Sequence, residues 1–460
     1  PFPVFAEGWK STGAGLSYTW SFEAGQPDEH GMCAAHIYEV PGTYWIHLTV
    51  TDEAGQKDYA TQEIEVLPRD GKKWAIEPGS DLTSVFAGMT EKRYGPGDEI
   101  LIPRGYEYEI QAGAIKPSHW STGYGYMFRG DPPEPLSGRP IIHLAGVKGG
   151  SVFDITGTGL GHVSFVDLDF RLSNGGNRVN FWRSTQRLNH LLFLRVELSH
   201  MAQGIVLTHA AATRQGSNIF VTDCLLMDSI GTQLFATVSR LAVQDSQLER
   251  SNNHLAYLSR LDKAVIAGNV FESPNRLRHA LRISGVGGET YPTQHVVVRD
   301  NTFLGSKQDG RYTWLLVHIA PNKPEMQLIK DLLFAHNYVS DGEHLLNLGS
   351  CEDVQVRGNI FRSLHDRTAT GARIVIGSQH GYDRRPCKNI TVAENFVETS
   401  EQRRWTGGIY QVRQGEHDGI EIRDNVNVVY REETPPIVVA RHVKNLVIGE
   451  NLTLLREPGK

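Results

Sequence analysis

From about residue 73 onward the chain is written as one short alternating strand after another. Laid against each other, the segments read NIFVTDCLL, LAVQDSQLE, KAVIAGNVF, HVVVRDNTF, DLLFAHNYV, DVQVRGNIF, NITVAENFV, GIEIRDNVN and NLVIGENLT. Each alternates apolar and polar positions, meets a polar corner and resumes with an apolar residue. The corner is Asn269, Asn301, Asn337, Asn359, Asn395, Asn425 and Asn451, a period of about 22 to 36 residues. A second alternating strand follows in each repeat: GIVLTH, TQLFAT, HLAYLS, HALRIS, WLLVHIA, HLLNLG, RIVIGS, IYQVRQ and IVVARH. Two strands and a corner per repeat, stacked in parallel, bury one face of each strand and predict a parallel β-helix of about a dozen coils. An Asn once per coil suits such a stack, because its amide can bond the same group above and below while tolerating a tight bend.

Residues 1–68 have a different character. The runs LSYTWSF, AAHIYEV, TYWIHLTVTD and YATQEIEVL are separated by Gly, Pro and Asp, which predicts a small antiparallel β-sandwich. Tyr18, Trp20 and Phe22, then Tyr38, Pro41, Gly42 and Tyr44, resemble the Tyr-x-Trp-x-Phe strand and Tyr-x-x-Pro-Gly-x-Tyr hairpin of the PKD family. The resemblance implies an extracellular spacer or adhesion module of Ig-like type, often joined to polysaccharide-degrading enzymes. Glu23 and Ala24 stand where Gly-Asp-Gly often follows the Phe, so no ligand site is carried over. The segments PGDEILIPRGYEYEI and RPIIHLAG resemble the opening of many bacterial right-handed β-helix repeat proteins, polysaccharide lyases among them. The expected organisation is therefore all-β: a PKD-like sandwich over 1–68 and a right-handed, single-stranded parallel β-helix with groove-forming loops over 69–460. That superfamily hosts lyases, hydrolases, epimerases and non-enzymes, so the fold alone does not select an activity.

Composition narrows the picture. With 460 residues, 40% of them hydrophobic, the chain can bury a large core. A formal charge of -6 gives no global attraction to nucleic acid, and no apolar run is long enough to span a bilayer. The chain opens at Pro1 without a basic and apolar leader, which fits a mature exported protein or a trimmed one. Four cysteines are too few for a disulfide scaffold, and Cys33 and Cys224 read as buried thiols. Cys351 and Cys387 precede equivalent strands, so adjacent coils bring them within disulfide range; a bridge and two stacked thiols are the alternatives.

Chemistry in a solenoid comes from outward positions and loops, since inward residues are committed to packing. In the second strands Leu281/Ile283, Val317/Ile319, Leu346/Leu348 and Ile374/Ile376 are the inward pairs. The residues between them leave an outward row of Phe235, Tyr257, Arg282, His318, Asn347, Val375 and Gln411. Tyr257, Arg282 and His318 suit β-elimination on a uronic acid: a cation to neutralise the carboxylate, a base to take the neighbouring proton and an acid for the leaving oxygen. Asn347 would flank them as a substrate contact. The loops GVGGETYPTQ, APNKPEMQL and GSQHGYDRRP would line a groove through Tyr291, Lys323, His380, Tyr382, Arg384 and Arg385. Over residues 251–330, ten Lys and Arg stand against six Asp and Glu, a local basic patch.

Competing readings bound this one. His254, His279 and His344 begin their strands and could ligate a metal, but stacking alone makes like residues recur, so packing is the expected role. No cofactor is identified in the sequence, and calcium stays open as an alternative that no motif indicates. Glu249, Asp262, Glu272 and Glu289 are carboxylates for a glycoside hydrolase, yet this alignment puts them on different faces. The paired-Asp strands of polygalacturonases, the calcium strand of chondroitinase B and its alginate-lyase relatives, and the Asp-Pro-His-Asp signature of alginate epimerases are all missing. The expectation is a secreted, periplasmic or surface-bound monomer that acts on an anionic polysaccharide, foremost as a lyase. A glycoside hydrolase and a non-catalytic glycan-binding adhesin are the alternatives.

Overall fold

A computed structural model of the chain describes residues 1–456 apart from 14, 112–114, 117–124, 132–137, 146–149, 156–159, 173–178, 186–187, 208–215, 286–291, 309–310, 322–327, 364–372, 378–384, 400–407, 414, 431–435 and 440–442. The first six strands are antiparallel. β1 (Phe2–Glu7) pairs with β4 (Cys33–Tyr38), while β2 (Ser17–Ser21), β3 (Glu29–His30), β5 (Gly42–Thr51) and β6 (Lys57–Val66) form a second sheet in the order β3-β2-β5-β6. Their core is Ala6, Trp20, Phe22, Ala34, Tyr38, Ile46, Leu48 and Val66. The aromatic residues singled out in the sequence hold it together: Trp20 Nε1 donates to the Gly31 carbonyl at 2.9 Å, and the rings of Tyr38 and Tyr44 stack at 4.1 Å.

From Lys73 the strands run parallel in three sheets, a right-handed β-helix. Among the described residues sheet I has 14 strands, sheet II 13 and sheet III 12; the short Lys307–Gln308 pairs antiparallel within sheet III. Each coil thus carries three strands rather than the two expected. The reason is the Asn corner, which divides each first segment: Asp262–Ala267 lies in sheet I and Val270–Pro274, just past Asn269, lies in sheet II.

The corner itself is a continuous amide ladder. Nδ2 of Asn269 donates to Oδ1 of Asn301 at 2.9 Å, and the same bond runs on through Asn337, Asn359, Asn395 and Asn425 to Asn451, each at 2.9–3.0 Å. Every rung also accepts a backbone N–H from the coil before it, as Oδ1 of Asn337 does from Asn301 at 3.0 Å. The bend falls elsewhere than expected. Left-handed backbone is carried by the residue before the Asn, as at Asp300 (φ 56), His336 (φ 55), Glu394 (φ 60) and Asp424 (φ 55), so bend and ladder are shared between two positions.

The N-terminal end of the helix is closed by α1 (Thr83–Ala87), whose Phe86 is fully buried against the rings of Phe128, Phe153 and Phe170 at 4.7, 5.4 and 6.1 Å. The sandwich covers something else, the outer face of sheet I. There Leu192, Phe220, Ala242, Val265, Val297 and Leu333 lie in register on successive coils and are all buried. Phe5, Met32, Cys33, Ala35 and Ile37 of the sandwich pack on them. β4 can do this because alternate residues face opposite ways: Ala34 and Tyr38 fill the sandwich, Cys33 and Ala35 the junction. Ion pairs rim the contact: Glu7 with Arg240 and with Lys263 (3.1 Å), Glu29 with Arg299 (2.5 Å) and Glu39 with Arg195 (2.7 Å). Cys351 and Cys387 occupy equivalent places on adjacent coils as buried, unbridged thiols, like Cys33 and Cys224.

Candidate functional site

Sheet III sets the expected row in file. Phe235, Tyr257, Arg282, His318, Asn347, Val375 and Gln411 are consecutive register partners, and the inward residues beside them are fully buried core. The row differs from expectation in exposure. Tyr257 and Arg282 are half-buried, His318 is 3% exposed and Asn347 0%, so it is a packed stripe rather than an open polar one. Stacked coils bring the side chains close enough to cover each other: Tyr257 meets Phe235 edge-on at 4.8 Å, and the Arg282 guanidinium lies 5.4 Å from the centre of the Tyr257 ring.

Two of the three histidines at the strand starts, His254 and His279, join this cluster. His254 stacks on Tyr257 at 5.4 Å and on His279 at 5.0 Å, and His279 meets His318 edge-on at 4.8 Å. Hydrogen bonding fixes their protons. Nδ1 of His279 lies 2.8 Å from the Leu315 carbonyl, which can only accept, so that nitrogen carries the hydrogen. Nε2 of His279 is then a bare acceptor, as its neighbours require: Nη1 of Arg282 at 3.4 Å, which can only donate, and Nδ1 of His318 at 3.2 Å. His318 in its neutral form therefore holds its proton on Nδ1 and its lone pair on Nε2. Burial first, and the nearby Arg282 and Arg278 next, push His254 down to about 3; burial, then His318, His254 and Arg282, hold His279 well below the usual imidazole range. Burial also lowers Arg282, against the stabilising pull of Tyr257.

The amide of Asn347 is oriented as firmly. Its Nδ2 donates to the carbonyls of Val375 (3.3 Å) and Gly377 (2.8 Å), which leaves Oδ1 buried beside the His318 coil with no hydrogen-bond partner among the described residues. An orphaned buried acceptor costs about 1–3 kcal/mol, a penalty that a ligand donor would remove. A metal does not fit the same place. His279 has both nitrogens committed, His344 lies apart against Trp314, and no group of three or more ligating side chains converges among the described residues. Tyr291, Lys323, His380, Tyr382 and Arg384 lie outside the described residues, and Arg385 is exposed.

Two carboxylate arrangements escaped the sequence reading. Glu249 and Glu272, expected on different faces, are register partners in sheet II, because the corners at Ser246 and Asn269 turn both segments into that sheet; Asp262 lies in sheet I, and Glu289 is outside the described residues. A cleft of about 630 Å³ at the edge between sheets I and II is lined by Arg139, Asp169, Arg171, Glu197, Asp223 and Asp245. Burial raises Glu197, Asp223 and Asp245 above the ordinary carboxylate range, Asp223 adding to the rise at Asp245. The signal was present as the acid before each corner, in VTDC and VQDS.

Residues 6–67 match the family model for the PKD domain. No curated protein sequence matches the chain. Among solved structures, the helix is similar to the A-module of mannuronan C-5 epimerase AlgE6 of Azotobacter vinelandii, with a TM-score of 0.56 and 13% identity over 84% of this chain and 100% of that one. It is also similar to the tailspike protein of E. coli bacteriophage HK620 in complex with pentasaccharide, with a TM-score of 0.52 and 12% identity over 82% of this chain and 76% of that one. These likenesses are of fold.

Proposed function

We propose that this chain is a polysaccharide-active enzyme that cleaves a uronic-acid-containing glycan by β-elimination on the outer face of sheet III. The observation that carries the reading is the contact of Arg282 and His318 with one neutral acceptor, Nε2 of His279, which sets a cation beside an imidazole whose unprotonated nitrogen is Nε2. Arg282 neutralises the substrate carboxylate and so acidifies the adjacent C–H bond. The proton passes to His318 Nε2, and the imidazolium that forms shares its Nδ1–H with His279. The electron pair of the broken C–H bond becomes the new double bond, and the bond to the glycosidic oxygen breaks. Tyr257 supplies that oxygen's proton. Asn347 Oδ1 accepts from a sugar hydroxyl. Supporting this reading at the level of fold, the AlgE6 module is named for a mannuronan epimerase, and the tailspike was solved with a bound pentasaccharide. An extracytoplasmic location and a monomeric state belong to the same proposal.

A second reading, glycoside hydrolysis, is favoured by the raised carboxylates Asp223 and Asp245 in their cleft, since an inverting or retaining hydrolase needs one carboxyl held protonated near a second that is ionised. Incubation with a panel of uronic-acid polymers decides between them. Elimination yields an ultraviolet-absorbing unsaturated product, whereas hydrolysis yields reducing ends without it. Unsaturated product that disappears in Arg282→Ala is the expected result. Reducing ends alone, lost in Asp245→Asn, would establish the hydrolase instead.

A further inference from the structure

The outer row of sheet I changes character where the sandwich ends. Leu192 through Leu333 are apolar and covered, but the next register partners are Gln355, Thr391 and Glu421. At that boundary lies a cleft of about 440 Å³ with walls from both parts of the chain: Trp9 and Tyr18 from the sandwich, and His295, Asp331, Gln355 and Thr391 among its helix residues. Clefts between packed modules are favoured ligand sites, because two rigid surfaces meet there without filling the space.

We infer that this cleft is a second saccharide-binding site, distinct from the sheet III row, and that it takes a neutral, hydroxyl-rich chain. Its chemistry supports that class. Trp9 stacks on His295 at 4.9 Å and its Nε1 donates to Glu7 at 3.0 Å, so an indole is fixed in the cleft wall. Asp353 accepts from Asn389 Nδ2 at 2.9 Å, which orients its carboxylate, and Asp331 on the adjacent coil places Oδ2 3.2 Å from His295 Nδ1, within ion-pair range though not hydrogen-bonded. Nε of Arg357, on the same wall, is buried without a hydrogen-bond partner among the described residues. Carboxylates, amides and a hydroxyl beside an aromatic ring match the alternating donors and acceptors of sugar hydroxyls and their apolar ring faces. The lining sets Asp331 and Asp353 against Arg357, and of the two ammonium groups over the Trp9 ring Lys263 (5.2 Å) is paired with Glu7 while Lys10 (5.6 Å) adds one charge, so the cleft has no cationic excess to hold a polyanion. Beyond the sandwich the polar row continues, Thr391 Oγ1 lying 3.4 Å from Glu421 Oε2, so a chain can run along the helix axis.

The test uses the full-length protein in affinity gel electrophoresis with four neutral polymers (mixed-linkage β-glucan, xyloglucan, galactomannan and starch) and two acidic ones (polygalacturonate and alginate). At least one neutral polymer should retard the protein. A double substitution of exposed or half-exposed residues, Asp353→Asn with Gln355→Ala, keeps a residue that tolerates the left-handed backbone at position 353 (φ 57) and should weaken that retardation at least tenfold with unchanged melting temperature. Arg282→Ala should leave it intact, which separates this site from the proposed catalytic one. The inference is overturned if no neutral polymer retards the protein, if the double variant is retarded like the parent, or if retardation is confined to acidic polymers.

Discussion

The outer faces of sheets I and III come from the same coils and the same alternation, yet they have opposite surroundings. On sheet I the outward residues from Leu192 to Leu333 are apolar and lie under the sandwich, and the charged side chains are pushed to the rim as ion pairs. On sheet III the outward residues from Tyr257 to Asn347 are aromatic, cationic and amide, and they pack on each other and on His254 and His279. Alternation determines which way a side chain points, whereas the composition of the outward row determines what lies over it. An apolar outward row needs a protein partner, while a buried polar one is retained at a cost that packing alone does not require.

The largest effect expected from this contrast comes from placing a charge on the covered face. Val297→Asp sets an unpaired carboxylate against Met32 and Cys33, and urea unfolding should show a loss on the order of 3 kcal/mol or more. The matching stress on sheet III is acid. His254 and His279 are held neutral in the folded state, so their contribution is complete above the unfolded imidazole value of 6.5 and is lost as pH falls, toward about 3 for His254. Stability should drop by about 1.4 kcal/mol per pH unit per histidine within that window, and His254→Gln should flatten the profile. A flat profile in the parent protein would show that the imidazoles are not shielded. A smaller effect tests how closely the sandwich docks. Gly31 has φ +113, and a Cβ there would lie 2.7 Å from Val297, so Gly31→Ala should cost about 1–3 kcal/mol and loosen the junction, read by faster hydrogen exchange along β4. The smallest is Arg282→Ala measured as stability. Because its guanidinium packs on Tyr257 rather than standing in water, a loss of roughly 1 kcal/mol is expected where a solvated side chain would give none.

Much of this was legible in the sequence. The Asn repeat foretold the ladder rung by rung, and alternation placed Tyr257, Arg282 and His318 in one file, since side-chain direction in a strand is a local property. Three features were not. The third strand of each coil is short, three residues at Thr302–Leu304 and Tyr338–Ser340, too few to show a period. The docking of the sandwich is a long-range contact, and its only trace is that FVT, AVQ and VVR are apolar at an outward position where solvent would be expected. The role of His279 depended on a bond across coils: the residue's position between Arg282, on its own coil, and His318, on the next, appears only when the two coils are stacked.

The central claim is that the sheet III row performs chemistry while the sheet I row holds the molecule together, and turnover of an acidic glycan by Arg282 variants tests it most directly. With the active polymer from the panel, Arg282→Ala should lower kcat by about 100-fold or more while the protein remains folded, and Arg282→Lys should recover part of that loss by restoring the charge without the planar fork. Wild-type turnover in a folded Arg282→Ala protein would contradict the account.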